Sequence, residues 1–287
     1  MICVMAASGA VGKGTVTALL ELGVDPGSTI AAARDPASVN TSDIRAVTFR
    51  RADYRDEASM TAAFRGVQTL ILIPTKTPAA ARCLEHANAL AAAKEAGVKR
   101  VVFLSIQAAA PVSLFNIAPF ILFAESATRQ SGMRWTIARM SLYSDPVAEW
   151  APELGRTGRL PYPLRDARIA YVSRRDVSRA LAAIAIDDSL DGAIPELTGP
   201  AALSMPELAR AVSEATGRAV LFDEIGEEEY RKLCHRDNLP EEIVETLVTM
   251  YRAAEAQEFS RVTNDISVLT GEAPESVPGA LARLLKQ

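Results

Sequence analysis

The chain has 287 residues, 49% of them hydrophobic and 23% charged, with a formal net charge of −4. That composition is globular, and both signs of charge are interspersed, so no basic stretch offers a nucleic-acid footprint. Three widely spaced cysteines, Cys3, Cys83 and Cys234, argue against a disulfide framework or a zinc site and suit a reducing, cytoplasmic setting.

The first residues, "MICVMA", read as a strand, without the basic region and cleavage site of a signal peptide. A helix follows in "GTVTALLELG", then the strand "STIAAAR", a polar connection, and "AVTFRRADY". Next come the helix "EASMTAAFRG", the strand "QTLILIP" and the Ala-rich helix "AAARCLEHANALAAAKEAG". The strand "RVVFLS", the helix "AESATRQSG" and the strand "RWTIARM" complete the pattern. Short apolar runs without polar alternation suit strands covered on both faces, as in a parallel sheet. Strand–helix–strand repetition with right-handed crossovers then gives an α/β fold, a Rossmann-like doubly wound sheet over residues 1–145. "LFNIAPFILFA" (114–124) is too short to span a bilayer and is expected to be buried or pocket-lining, so no membrane association is expected.

Past residue 145 the rhythm breaks into a Pro- and Gly-rich stretch with two short strand candidates. Residues 146–287 read as a smaller, mainly helical C-terminal lobe, some of whose elements are free to return to the main sheet. Ser173 and Asp176 start one amphipathic helix in the manner of a capping box, and Pro240 sits in the first turn of another.

The turn "AASGAVGKG" joins the first strand to the first helix. A glycine-rich turn there lets the backbone approach a pyrophosphate, whose charge rests on the helix N-terminus. Gly9 and Gly12 keep the spacing of the last two glycines of such a loop, while Ala6 replaces the first, which is inexpensive only at a negative backbone angle. Arg34, ending the second strand, stands where an acidic residue would grip the ribose 2′-hydroxyl. An arginine there favours a 2′-phosphate, hence NADP(H) over NAD(H), with Lys13 adding charge to the same end.

Taken together, "SGAVGKGTV", "AAARDPAS", "RRADYRDEASMTAAFRGV", "AAAKEAGVKRVVFLS", "SGMRWTIARMSLYSD" and "ELTGPAALSMPELARAVSEATGRAV" resemble the NmrA-like branch of the atypical short-chain dehydrogenases. The likeness covers nearly the whole chain and is nearest in pattern to quinone- and triphenylmethane-reducing members. It implies an NAD(P)H-dependent oxidoreductase acting on quinone-like or polycyclic aromatic substrates. The same likeness leaves two alternatives: a nicotinamide-binding monooxygenase tailoring aromatic polyketides, and a non-enzymatic NADP(H) sensor. It puts the pyrophosphate at Ser8, Gly9, Ala10, Val11 and Gly12, and the 2′-phosphate or adenine face at Arg34. The adenine edge falls near Asp53 and Tyr54, and the nicotinamide ribose beside Ile73, Pro74 and Thr75. The nicotinamide lies over Ser105 and the run Met140, Ser141, Leu142 and Tyr143. The Tyr-x-x-x-Lys dyad of typical short-chain dehydrogenases falls here on Leu122 and Ser126, so the chain lacks it.

With the dyad gone, Ser105 and Tyr143 are the catalytic candidates, Tyr143 as a group that orients a carbonyl or hydroxyl. Phe115, Phe120 and Phe123 are expected to form a wall for a flat aromatic ligand, together with Tyr143. Trp150, Tyr162 and Met250 are placed as a lid. Glu125 is read as a helix cap, His86 as a polar contact on a packed helix, and His235 as a surface helix end. No metal is implied, and the chain is expected to be a monomer or homodimer.

Overall fold

The computed structural model describes residues 1–39, 44, 46–75, 77 and 79–286. The first half alternates as the apolar periodicity requires: β1 (Ile2–Val4), α1 (Ala10–Glu21), β2 (Thr29–Ala33), β3 (Thr48–Arg51), α2 (Glu57–Ala63), β4 (Thr69–Leu72), α3 (Ala79–Glu95), β5 (Arg100–Ile106), α4 (Ala118–Gln130) and β6 (Arg134–Met140). The second half runs α5 (Asp145–Thr157), β7 (Arg159–Tyr162), β8 (Arg168–Ile169), α6 (Arg174–Ile186), β9 (Glu196–Leu197), β10 (Leu203–Ser204) and α7 (Met205–Thr216). It ends with β11 (Leu221–Glu224), α8 (Glu227–Arg236), α9 (Glu241–Glu255), α10 (Asp265–Thr270) and α11 (Val277–Leu284).

Seven strands pair in parallel in the order β3-β2-β1-β4-β5-β6-β9. Every residue of β2, β4 and β5 is buried, which is why these runs lack polar alternation. One face packs against α1, α6 and α10 through Val4, Val16, Ile71, Val177 and Ile266. The other packs against α2, α3 and α4 through Met60, Phe64, Leu90, Phe103 and Ile137. A third cluster joins the late elements to the loop after β5, with Phe115 edge-on to Phe259 at 6.0 Å. The strand order reverses between β1 and β4, which opens a crevice at the carboxyl ends of the strands.

Two late elements return to this sheet. α6 lies along α1, where Ser178 Oγ donates to the Val11 carbonyl at 3.1 Å, and β9 extends the sheet beside β6. Arg100, fully buried at the start of β5, reaches the C-terminal end of α6 and donates to the carbonyls of Ile184 and Asp187, both at 2.9 Å.

Three helices depart from the sequence reading. α4 begins at Ala118, earlier than expected, because Pro119 occupies its first turn, where no backbone donor is needed. α5 forms across a stretch read as irregular. Its Pro146 is in the first turn, its Pro152 lies inside the helix, and Val147, Ala148, Ala151 and Gly155 bury one face. Pro240 caps α9 from outside instead of sitting within its first turn.

Candidate active site

The β1–α1 turn is built by backbone. Gly9 N donates to the Ala6 carbonyl at 2.9 Å, and Gly9 is the helix N-cap with extended angles and no side-chain cap. No acidic residue stands in the first turn of α1, and Ser8, Gly9 and Ala10 are exposed. The positive end of the helix is therefore open to an anion. Gly12 is sterically required, since a Cβ there would lie 2.3 Å from the Ala6 carbonyl oxygen. Ala6 itself corrects the sequence reading. Its φ is +56°, in the left-handed region, which for an alanine costs about 1 kcal/mol.

The other positions expected to meet a dinucleotide lie along the same edge, because all the main strands run parallel. Arg34 follows β2 and is exposed. Asp53 is committed locally: its carboxylate accepts from Arg55 N at 3.0 Å and its own N–H donates to Ser59 Oγ at 3.0 Å. The Tyr54 hydroxyl donates to the Ile73 carbonyl at 2.8 Å, tying the ends of β3 and β4, and burial pushes its phenol far up. Ile73 is buried, and Pro74, Thr75, Met140 and Leu142 are half-buried. Ser141 is buried, with its hydroxyl 3.5 Å from the Phe259 carbonyl.

Of the two catalytic candidates, Tyr143 is half-buried, with the Arg174 guanidinium 5.4 Å from its ring centre. Burial raises its phenol, against the pull of Arg174. Ser105 is fully buried and donates its proton to Glu125 Oε1 at 2.5 Å. Its hydroxyl is thus committed to supporting a carboxylate.

Glu125 is no cap. It lies mid-helix in α4, has no exposed surface, and grips Arg139 of β6 through contacts of 2.8 and 2.7 Å. Arg129 adds a third contact at 2.8 Å. Burial would raise this carboxyl, but the hydrogen bonds from Arg139 and Ser105 outweigh it and hold the carboxyl below its ordinary value.

The three phenylalanines do not form one wall. Phe115 is in the core and Phe123 is 48% exposed, while Phe120 borders a recess between β4, α3 and α4. Nor do the three lid residues act together: Trp150 is exposed, whereas Tyr162 packs on Tyr251 at 5.0 Å inside the C-terminal core and Met250 packs against that core. His235, at the end of α8, meets Glu241 at 2.7 Å.

The recess contains two residues that the sequence reading passed over, Arg82 and Glu85, beside His86, which it read as a polar contact on a packed helix. Arg82, Glu85 and His86 recur at helical spacing on α3 and all line it, beneath Ile73, Pro74 and Thr75. That spacing was the available signal. Glu85 accepts from the hydroxyls of Thr75 and Thr77 at 2.5 and 2.7 Å, with Arg55 at 3.4 Å.

His86 is buried against Phe103, with Nε2 2.9 Å from Thr128 Oγ1, and burial pushes its pKa down to about 4. A folded-state value below the unfolded one near 6.5 means this contribution is complete above pH 6.5. It is lost as pH falls toward 4, by about 2–3 kcal/mol. Urea unfolding at pH 7.5 and 4.5 should show that loss, and His86→Gln should flatten it.

An all-parallel sheet in this strand order, with a glycine turn at its switch point, defines a Rossmann-type protein of the dinucleotide-binding kind. The NmrA-like family model matches residues 1–275, and the chain belongs to that family.

Quinone oxidoreductase 2 of Escherichia coli is 28% identical over 86% of this chain and 85% of its own length. Its NADPH complex superposes with a TM-score of 0.93, covering 99% of this chain and all of the other. The NAD(P)H azoreductase of Xenophilus azovorans is 27% identical over 94% of this chain and 93% of its own. The Citrobacter triphenylmethane reductase, 24% identical with a TM-score of 0.92 over 99% of this chain and all of the other, shares the fold. Among the described residues no cluster of three or more His, Cys, Asp or Glu could hold a metal ion, and no helix is long and apolar enough to cross a membrane.

Proposed function

We propose that this protein is an NADP(H)-dependent oxidoreductase that reduces quinone-like or related conjugated aromatic compounds. The observation that carries the reading is the uncapped start of α1 at the switch point, with Gly12 packed so closely on Ala6 that only a glycine fits. Ser8 to Gly12 would hold the pyrophosphate, Arg34 the 2′-phosphate, Asp53 and Tyr54 the adenine edge, and Ile73 to Thr75 the ribose. Met140, Ser141 and Leu142 would border the nicotinamide. The bound dinucleotide supplies a hydride.

The Tyr-x-x-x-Lys places are held by Leu122 and Ser126, so the proton that completes the reduction comes from water. An electron-poor quinone tolerates this, because hydride delivery to it depends mainly on proximity and orientation. Tyr143, under Arg174, is the polar group we assign to orienting the substrate oxygen.

The test is NADPH oxidation across naphthoquinones, azo compounds and cationic dyes. Saturable turnover is expected, with NADPH preferred over NADH at least tenfold and Arg34→Ala removing that preference. A flat baseline across the panel would reject the reading.

A further inference from the structure

α6 runs beside α1 in the same direction: its C-terminal carbonyls meet Arg100 at the start of β5, so its N-terminus lies with the carboxyl ends of the strands. The two helices approach closely at Gly14, where a Cβ would lie 2.6 Å from Ser178 Oγ. That hydroxyl also donates to the Val11 carbonyl at 3.1 Å, which sets the second turn of α6 level with the first turn of α1. Arg174 stands four residues before Ser178 on the same face, one helical turn nearer the open end of α1 where Ser8, Gly9 and Ala10 lie. Its guanidinium is 5.4 Å from the centre of the Tyr143 ring, and Tyr143 packs against the apolar cluster that contains Val11. This guanidinium is only partly committed. Nη1 donates to Glu149 Oε1 at 2.7 Å, a carboxylate whose side chain is 57% exposed. Nε and Nη2, whose N–H bonds run parallel along the other edge, have no hydrogen-bond acceptor among the described residues. The neighbouring carboxylates already have partners. Asp145 accepts from the Arg174 backbone N–H at 2.8 Å, and Asp176 accepts from Ser173 Oγ at 2.8 Å and Glu275 N at 2.7 Å.

We infer that Arg174 binds the diphosphate of the dinucleotide through its Nε and Nη2 edge, alongside the N–H groups that open α1. The inference rests on the reading that Ser8 to Gly12 hold that diphosphate. Each phosphate of the pair carries a negative charge, whereas a helix N-terminus offers the equivalent of about half a positive charge. The backbone turn by itself leaves most of the charge unbalanced, and a planar guanidinium with two parallel donors matches two phosphate oxygens. The ion pair with Glu149 faces water and adds little stability, but it holds the guanidinium extended over Tyr143. The side chain therefore loses less freedom when a phosphate arrives. Because Tyr143 is the group assigned to the substrate oxygen, one arginine then touches the cofactor and covers the ring of that tyrosine.

Calorimetric titration of the wild type, Arg174→Gln and Arg174→Lys with three ligands tests this. NADPH and 2′-phospho-ADP-ribose both carry the diphosphate, the second without a nicotinamide, and adenosine 2′-monophosphate carries neither group. In Arg174→Gln both diphosphate ligands are expected to bind at least tenfold more weakly, by factors that agree within twofold. Affinity for adenosine 2′-monophosphate should stay within twofold of the wild type. Arg174→Lys keeps the charge without the parallel donors, so it should recover part of the loss and still bind both diphosphate ligands at least threefold more weakly than the wild type.

Unchanged affinity for both diphosphate ligands in either variant overturns the assignment. So does a loss confined to NADPH, which would move Arg174 to the nicotinamide end, and so does an equal loss for all three ligands, which would mean a damaged turn. Melting temperature without ligand, expected to match the wild type, shows that the variants are folded, and Arg174→Lys decides alone if the glutamine variant is not. A wild type that binds NADPH no more tightly than adenosine 2′-monophosphate instead removes the placement of the diphosphate on α1, and the role of Arg174 falls with it.

Discussion

Gly12→Val is expected to weaken NADPH binding at least a hundredfold and to destabilise the fold by about 2 kcal/mol. The Cβ of any side chain at Gly12 would lie 2.3 Å from the Ala6 oxygen, 2.7 Å from the Ala6 carbonyl carbon and 2.9 Å from the Ala7 Cα. All three are backbone atoms and cannot swing aside, so α1 has to withdraw from the turn. Its N-terminal N–H groups then no longer converge on one anion, and the main attraction for a pyrophosphate is lost. Two neighbouring substitutions separate steric from chemical effects. Gly9→Ala meets only ordinary contact, 3.4 Å from the Ala6 oxygen, and should fold as the wild type does. Ala6→Gly relieves the left-handed strain and should raise stability by about 0.5 kcal/mol after the entropy of the glycine is counted. Fluorescence titration and thermal melting read both quantities. A Gly12→Val protein that binds NADPH like the wild type would contradict the placement of the nucleotide.

Arg100→Met should cost about 3–5 kcal/mol, a large share of the 5–15 kcal/mol typical of a folded protein. The Arg100 guanidinium has no exposed surface, and its Nε lies 2.7 Å from Asp191 Oδ1. Its terminal nitrogens donate to Thr136 Oγ1 at 3.0 Å and to the carbonyls that end α6, where the helix dipole is negative. Methionine fills much of the volume but supplies no donor. It leaves the Ile184 and Asp187 carbonyls with only long backbone contacts, from Asp187 N at 3.3 Å and Leu190 N at 3.4 Å, and Asp191, only 27% exposed, without its closest cation. Arg134 meets Asp188 and Asp191 from the solvent side, and Arg134→Met should have little effect by comparison. Urea unfolding distinguishes the two. An Arg100→Met variant within about 1 kcal/mol of the wild type would mean that α6 is held to the sheet by apolar packing alone.

What was legible in the sequence follows from how local each cause is. The parallel sheet could be read because β2, β4 and β5 are apolar on both faces, a property of consecutive residues. The glycine turn could be read from spacing, but the φ of Ala6 could not, since it depends on how β1 meets α1 in space. α5 was passed over because Pro146 and Pro152 read as breakers, although the spacing of Val147, Ala148, Ala151 and Gly155 marked a helix face. Glu125 was read as a cap because capping is the local explanation for a carboxylate near a helix start. Its real partner, Arg139, sits on a strand beyond the end of the helix. Phe115 was assigned to a substrate wall for the same reason, its core partner Phe259 being far along the chain.

Titration of the purified protein with NADPH and NADH, followed by nicotinamide fluorescence, tests the central claim most directly. Saturable binding of NADPH in the micromolar range, at least tenfold tighter than NADH and abolished by Gly12→Val, is the predicted result. No binding of either nucleotide at millimolar concentration would contradict it.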